Sequence, residues 1–271
     1  MSDIAIRVEH LSKRYRIGAP ALQYRTLRET LVDGLRAPFK PDKAWPASIP
    51  GKAPGGELKK SFSPPVRITE EMHPVEIYSP VKAIYIVDMG VNFTGTYRIK
   101  ISADKGDTLT FRFGERIYDD GTLNPMTAVA GQIKKKGMGG PGAPDIAWQT
   151  DLYIVGSEDE TWYQPEFTFH TYRYMEINGL STLPGLNDIE GLALNTNVRD
   201  NNSFSSSSEL LNSIQQATER TFLSNLISVQ SDCAAREKFG YGGDLNATSE
   251  AFIYNFDMHS FYRKTVYDWA D

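Results

Sequence analysis

The chain has 271 residues, of which 40% are hydrophobic and 23% charged, and its mean hydropathy is −0.40. This composition is typical of a soluble globular protein that is long enough for one or two domains. No apolar run approaches the ~18 residues of a membrane span, and a single cysteine excludes both a disulfide scaffold and a Cys-rich zinc module. The first residues lack the pattern of a secretory signal, so the sequence predicts a cytoplasmic protein without a membrane partner.

Charge is unevenly distributed along the chain. The formal net charge is −5, yet residues 1–40 contain eight Lys or Arg and only four Asp or Glu. An acidic body does not suit nucleic-acid binding, whose affinity comes mainly from neutralising phosphates. No nucleic-acid partner is therefore expected, whereas a neutral substrate such as a carbohydrate is compatible with this charge.

The first 62 residues of the sequence predict two separate segments. Residues 4–17 predict a short strand, and residues 25–36 place apolar side chains at helical spacing. The following stretch is so rich in proline and glycine that no periodic element is expected there. We therefore predict an N-terminal segment at 1–40 and a linker at 41–62.

Short β-rich runs separated by turns predict an antiparallel β-sandwich over residues 63–203. Residues 97–101 and 108–113 alternate with a period of two, which is typical of half-buried strands. The predicted strands lie within the segments 66–71, 83–90, 96–103, 108–118, 151–156, 167–179 and 189–196.

Helical spacing predicts three helices over residues 204–271. In the first, Leu210, Leu211 and Ile214 belong to one apolar face, preceded by serines that can cap its start. The second is expected after Asp244, and the third is expected to begin with Asp257 as its N-cap.

The densest polar cluster, residues 232–244, lies between the first two predicted helices and contains three carboxylates, an arginine and three glycines. Carboxylates accept paired hydrogen bonds from sugar hydroxyls, and one held in apolar surroundings can serve as a general acid. From spacing alone a simpler alternative is favoured: a helix-connecting loop in which Asp244 caps the next helix.

The sequence SDCAAREKFGYGGD (231–244) closely resembles the signature of bacterial α-L-rhamnosidases, the glycoside hydrolases of family 78. Further segments match in family order between residues 60 and 271. They include 63–80, 88–101, 109–125, 149–155, 165–179 and 188–196. The resemblance implies a β-sandwich followed by the first helices of an (α/α)6 barrel of six hairpins. It also implies removal of terminal α-L-rhamnose from glycosides with inversion.

The resemblance also implies roles for five side chains. Glu237 matches the general acid that protonates the departing glycosidic oxygen. Asp232 and Asp244 match carboxylates that hold rhamnose hydroxyls. Arg236 matches a basic neighbour, and Tyr241 stands where the family often has a sugar-stacking tryptophan.

Two departures from the family pattern, Ala234 and Thr171, remove no carboxylate. An inverting hydrolase also needs a second carboxylate about 6.5–9.5 Å from the acid. In the family this base is a glutamate in a later barrel loop, whereas the sequence ends at Asp271. We therefore expect a truncated enzyme with little or no activity alone. The four histidines lack metal-ligand spacing, so neither a metal nor a cofactor is expected.

Residues 4–18, IAIRVEHLSKRYRIG, resemble the opening strand of polysaccharide-export ABC transporter ATPases, in which the aromatic residue at Tyr15 stacks on adenine. The chain contains no G-x-x-x-x-G-K-[ST] motif, so ATP binding is not expected. Two alternatives to a hydrolase stay open. One is a non-catalytic carbohydrate-binding or accessory β-sandwich module, and the other is an ATPase-derived adaptor.

Overall fold

The computed structural model describes residues 61–128, 149–156 and 161–270. The predicted segment 1–40, with its resemblance to ABC ATPases, and all but the end of the predicted linker lie outside the described residues. Among the described helices, none has the length and apolar character needed to cross a membrane.

Within the described residues, eight strands form one antiparallel sheet. They are β1 (Val66–Met72), β2 (Glu76–Val81), β3 (Ile84–Ile101), β4 (Thr108–Gly114), β5 (Thr150–Ile154), β6 (Thr161–Tyr163), β7 (His170–Asn178) and β8 (Ile189–Thr196). The strand order is β1-β8-β3-β7-β4-β5, and β2 and β6 both pair with β3.

Strand β3 curls this sheet. Its first half pairs with β2 and β7, whereas its second half pairs with β8, the start of β7, and β6. The register with β7 shifts between Asp88 and Phe93, and Gly90 within this bulge has φ +78°, a conformation that favours glycine. Bulges bend a strand and increase its twist, so the two halves of the sheet turn toward each other.

The prediction of an antiparallel β region followed by helices is confirmed at this level. In place of two separate sheets, the strands form one curled sheet whose halves share β3 and β7. The strands predicted at 83–90 and 96–103 are two halves of β3, because the bulge interrupts the alternation without ending the strand.

The main hydrophobic core lies between the two halves of the sheet. Tyr97 of β3 packs against Phe111 and Phe113 of β4, with ring centroids 5.0 and 5.3 Å apart. Leu109, Phe111 and Phe113 are buried on one face of β4, as the period of two predicted. Burying each such side chain contributes about 1.5–3 kcal/mol, so these aromatic contacts hold the curl closed.

In the part of the chain that the structure describes, three helices and a short hairpin follow the sheet. They are α1 (Glu209–Ser224), β9 (Leu226–Ile227), β10 (Val229–Gln230), α2 (Gly242–Asn255) and α3 (His259–Ala270). They share a second core cluster of Leu226, Phe252, Phe256, Met258 and Phe261.

The caps of these helices differ partly from prediction. Ser208 is the N-cap residue of α1, within the predicted serine run. Asp244 does not cap α2: Tyr241 is the N-cap residue, and Asp244 lies in the first turn, where a negative charge complements the helix dipole. The carboxylate of Asp257 accepts the N–H of His259, the first residue of α3.

Asp88 ties the bulge of β3 to β7. Its carboxylate accepts two hydrogen bonds from the guanidinium of Arg173, both 2.8 Å, and one from the N–H of Gly90 at 2.7 Å. Burial is the largest single effect on the pKa of Asp88 and raises it. The hydrogen bonds from Arg173 and Gly90, with the positive charge of Arg173, together outweigh burial and lower this pKa.

We expect Asp88→Asn to lower the free energy of unfolding at neutral pH by about 1.5–3 kcal/mol, the usual contribution of hydrogen bonds to a charged group. A lowered folded-state pKa means that this contribution is present above the unfolded-state pKa and is lost as pH falls through the folded-state pKa. Urea unfolding at neutral pH and at about pH 2.5 measures the difference, which should shrink in acid. Asp119→Asn, in an exposed turn, is the control. A difference from wild type that is unchanged in acid would contradict the assignment.

Candidate active site

Residues 231–241, between β10 and α2, form what we call the acidic loop. Backbone hydrogen bonds close it: the N–H of Asp232 donates to the carbonyl of Phe239, and the N–H of Lys238 donates to the carbonyl of Cys233, both at 3.0 Å. This pairing folds the segment back on itself. Side chains five positions apart in the sequence are therefore brought side by side.

Asp232 and Glu237 meet around Cys233. One carboxylate oxygen of each and the thiol sulfur all lie within 4.8 Å of one another. The backbone N–H of Glu237 donates to the sulfur at 3.2 Å, and that of Phe239 donates to Asp232 Oδ1 at 3.4 Å. Thiolate and carboxylate groups can also bind Zn²⁺, but here the sulfur and Asp232 are engaged in hydrogen bonds that shape the loop.

The pKa of Asp232 lies below its usual value. Burial has the largest single effect and raises the pKa, but hydrogen bonds from the thiol and N–H of Cys233 and from the N–H of Phe239 together outweigh it. Asp232 is therefore held as a carboxylate at neutral pH, and an ionised carboxylate can only accept hydrogen bonds. This chemistry suits a group that binds sugar hydroxyls.

Glu237 is exposed, and one of its carboxylate oxygens accepts a hydrogen bond from a tyrosine. The hydroxyl of Tyr241 donates to Oε2 at 3.0 Å. This hydrogen bond, together with the negative charge of Glu237, raises the pKa of Tyr241.

Two exposed aromatic rings stand beside Glu237. Those of Phe239 and Tyr241 lie 5.0 Å apart, with 61% and 45% of each residue exposed. Exposed rings next to a carboxyl can pack against the apolar face of a sugar while the carboxyl reaches its oxygens. The sequence predicted Tyr241 for this role and missed Phe239, although its position within the same motif was an available signal.

A cavity of about 410 Å³ opens beside the acidic loop and is lined on one side by Asp232 and Arg236. Asn92 of β3, Glu115 just after β4 and Arg220 of α1 also line it. The amide of Asn92 donates to Glu115 at 2.9 Å. Only the fold brings Asn92 and Glu115 to the loop, so no sequence pattern predicted them.

The structure unites four of the five predicted residues on one loop and places the fifth on a helix. Asp244 is exposed in the first turn of α2, and its backbone carbonyl accepts the hydroxyl of Thr248 at 2.7 Å. Its carboxylate is not part of the close group around Cys233.

Two family models match the chain. Residues 80–195 match the concanavalin-like domain of bacterial alpha-L-rhamnosidase, and residues 199–271 match its 6 hairpin glycosidase domain. Together they cover more than half of the chain. The gap between them falls between β8 and α1, where strands give way to helices.

Curated relatives agree with these models. An alpha-L-rhamnosidase of Formosa agariphila is 28% identical over 206 residues, which are 76% of this chain and 20% of the relative. An alpha-L-rhamnosidase of Streptomyces avermitilis is 27% identical over 244 residues, which are 88% of this chain and 22% of the relative. The chain therefore spans about a fifth of the length of the curated relatives it matches.

Solved structures are similar over the same region. The alpha-L-rhamnosidase from Dictyoglumus thermophilum superposes with a TM-score of 0.71 and 38% identity, over 79% of this chain and 23% of that one. The Streptomyces avermitilis alpha-L-rhamnosidase complexed with L-rhamnose has a TM-score of 0.66 and 27% identity, over 75% and 18%. This chain belongs to the bacterial α-L-rhamnosidase family of glycosidases.

Proposed function

We propose that this chain carries the acid side of an inverting α-L-rhamnosidase site that recognises terminal α-L-rhamnose on a glycoside. The observation that carries the proposal is the closed acidic loop, which holds Glu237 within reach of Asp232 and beside two exposed rings. The similarity to a rhamnosidase solved with L-rhamnose supports the substrate class. The β domain at 63–203 and the helical domain at 204–271 are part of the same proposal.

Glu237 acts in this proposal as the general acid. A general acid must present its proton to the departing glycosidic oxygen at hydrogen-bond distance. Tyr241 already donates to Oε2, so the proton to be transferred resides on Oε1. Tyr241 then stabilises the carboxylate that remains after proton transfer, and its ring offers a stacking face for the sugar.

Asp232 binds substrate rather than activating water. Oxygens of Asp232 and Glu237 lie within 4.8 Å of each other, which is shorter than the gap of about 6.5–9.5 Å that admits the attacking water of an inverting enzyme. Asp232 therefore accepts hydrogen bonds from rhamnose hydroxyls, Asp244 does so from the start of α2, and Arg236 donates from the cavity wall. The base that activates water is a different carboxylate.

Titration of the isotopically labelled 271-residue chain with L-rhamnose tests the proposal. We expect saturable shifts at the backbone amides of Glu237, Phe239 and Tyr241, and much smaller shifts with D-mannose as the control sugar. The absence of saturable shifts in the acidic loop would contradict the proposal.

An aryl α-L-rhamnoside assay tests the acid separately from binding. If the chain releases the aryl group, Glu237→Gln should slow release by about 10²–10⁴-fold, the range for a general acid. Such turnover would also overturn the expectation of an inactive chain. Binding of L-rhamnose without release would support that expectation, and release unaffected by Glu237→Gln would exclude Glu237 as the acid.

A further inference from the structure

Lys238, next to Glu237, extends from the acidic loop to the β domain. Its Nζ donates to the backbone carbonyl of Phe169 at 2.8 Å and lies 4.1 Å from the centroid of the Phe169 ring. Burial lowers the pKa of Lys238, and the negative charge of Asp151 opposes this shift. An ammonium group held in this way makes a directed contact between residues 69 positions apart.

The backbone at Lys238 is in the left-handed region, with φ +55°. A residue with a long side chain seldom adopts this conformation, which persists only where surrounding contacts impose it. Two contacts do so here: the N–H of Lys238 donates to the carbonyl of Cys233, and its side chain is held at Phe169. The turn leaves Glu237 exposed while Lys238 is drawn inward.

Hydrogen bonds also hold the segment around Phe169, to which Lys238 is bonded. Phe169 lies between Thr168 and His170, and the side chains of both neighbours bond Asp151, at 3.1 and 3.0 Å. The other ring nitrogen of His170 lies 3.2 Å from the amide oxygen of Gln149. The carbonyl that receives Lys238 therefore belongs to a segment held on both sides.

We propose that Lys238 is a positioning residue, which sets the orientation of Glu237 by fixing the acidic loop to the β domain at Phe169. The inference rests on the proposed function, in which Glu237 is the proton donor. It predicts that the loop loses its order when the anchor is removed, although the rest of the fold is kept.

Cys233 provides a readout of loop order that needs no sugar, because it is the single cysteine of the chain. We expect Lys238→Met, which keeps the length of the side chain but removes its donor and charge, to speed the reaction of Cys233 with a disulfide reagent at least tenfold. Lys238→Arg should restore the rate to within about threefold of wild type, because arginine keeps both donor and charge. Lys264→Met is the matched control, since Lys264 bonds Asp268 within α3.

L-rhamnose affinity is the second readout. Lys238→Met should weaken it at least tenfold, Lys238→Arg should largely restore it, and the melting temperature of both variants should stay close to that of wild type. If wild type binds no rhamnose, the proposed function fails while the thiol rate still tests the anchor. If Cys233 reacts with the disulfide reagent in Lys238→Met at a rate within twofold of wild type, the proposal that Lys238 fixes the loop is contradicted, whatever the result with sugar.

Lys238→Gly covers the case in which the methionine variant does not fold. Glycine accepts the left-handed backbone without strain but lacks the anchor. It should therefore show the same increase in thiol rate, and a wild-type rate in Lys238→Gly would overturn the inference.

Discussion

Replacing Gly95 with alanine is expected to prevent the curled sheet from forming. Gly95 lies in the second half of β3, paired with His170 of β7 on one side and with Ala193 of β8 on the other. A Cβ added there would lie 2.0 Å from the carbonyl oxygen of Leu192 and 2.9 Å from the Cα of Ala193. These are backbone atoms, so they cannot yield without breaking the strand pairing.

The cost should exceed the roughly 1–3 kcal/mol of ordinary overpacking, because no side-chain rotation relieves the clash. We expect a loss above about 4 kcal/mol, which is comparable with the whole stability of many domains. Circular dichroism and thermal unfolding of the purified chain measure it. Gly156→Ala is the control, because an added Cβ there meets nothing within 4 Å. A melting temperature for Gly95→Ala equal to that of the control would contradict this account of the sheet.

Asp232→Ala is expected to weaken the binding of L-rhamnose about 100-fold. An ionised carboxylate that accepts two hydroxyl hydrogen bonds, each worth about 1.5 kcal/mol, accounts for this factor. Asp232→Asn keeps the shape of the side chain and an acceptor for the N–H of Phe239, yet it removes the charge. It should therefore weaken binding less than alanine does, while preserving the loop.

Calorimetric titration of both variants measures these affinities, with Asp119→Ala as the control on an exposed turn. Retained rhamnose affinity in Asp232→Ala would contradict the proposed site. It would favour the alternative function, a non-catalytic carbohydrate-binding module in which the sheet holds the sugar. The reactivity of Cys233 in each variant shows whether a loss of affinity reflects the missing carboxylate or a disordered loop.

Local sequence patterns were sufficient to predict an element where the apolar residues follow the period of a strand or a helix. The alternation in residues 108–113 predicted which side chains of β4 are buried, and the segment 189–196 coincides with β8. Helical spacing also predicted three helices after residue 204. In β4 neighbouring residues carry the information, because one face of the strand packs against the core. In α1 the spacing predicted the helix but not its burial, because Leu210, Leu211 and Ile214 are exposed.

Local patterns failed where pairing between distant segments overrides them. Strand β2 contains Pro80 and no clear alternation, and β6 has only three residues, so neither was predicted. Each is held by pairing with β3. The bulge at Gly90 split β3 into two predicted strands for the same reason, since the continuity of a strand depends on its partners.

Residues 231–244 by themselves determine the residue types of the site and indicate the family. These reactive groups are close in the sequence, so they stay close in any fold. The contact that holds the loop to the sheet is not determined by residues 231–244. Backbone pairing within the same segment closes the loop, but the inward position of Lys238 depends on Phe169, 69 residues earlier. Hydrogen bonds are short-ranged and directional, so such contacts exist only once the chain has brought distant segments together.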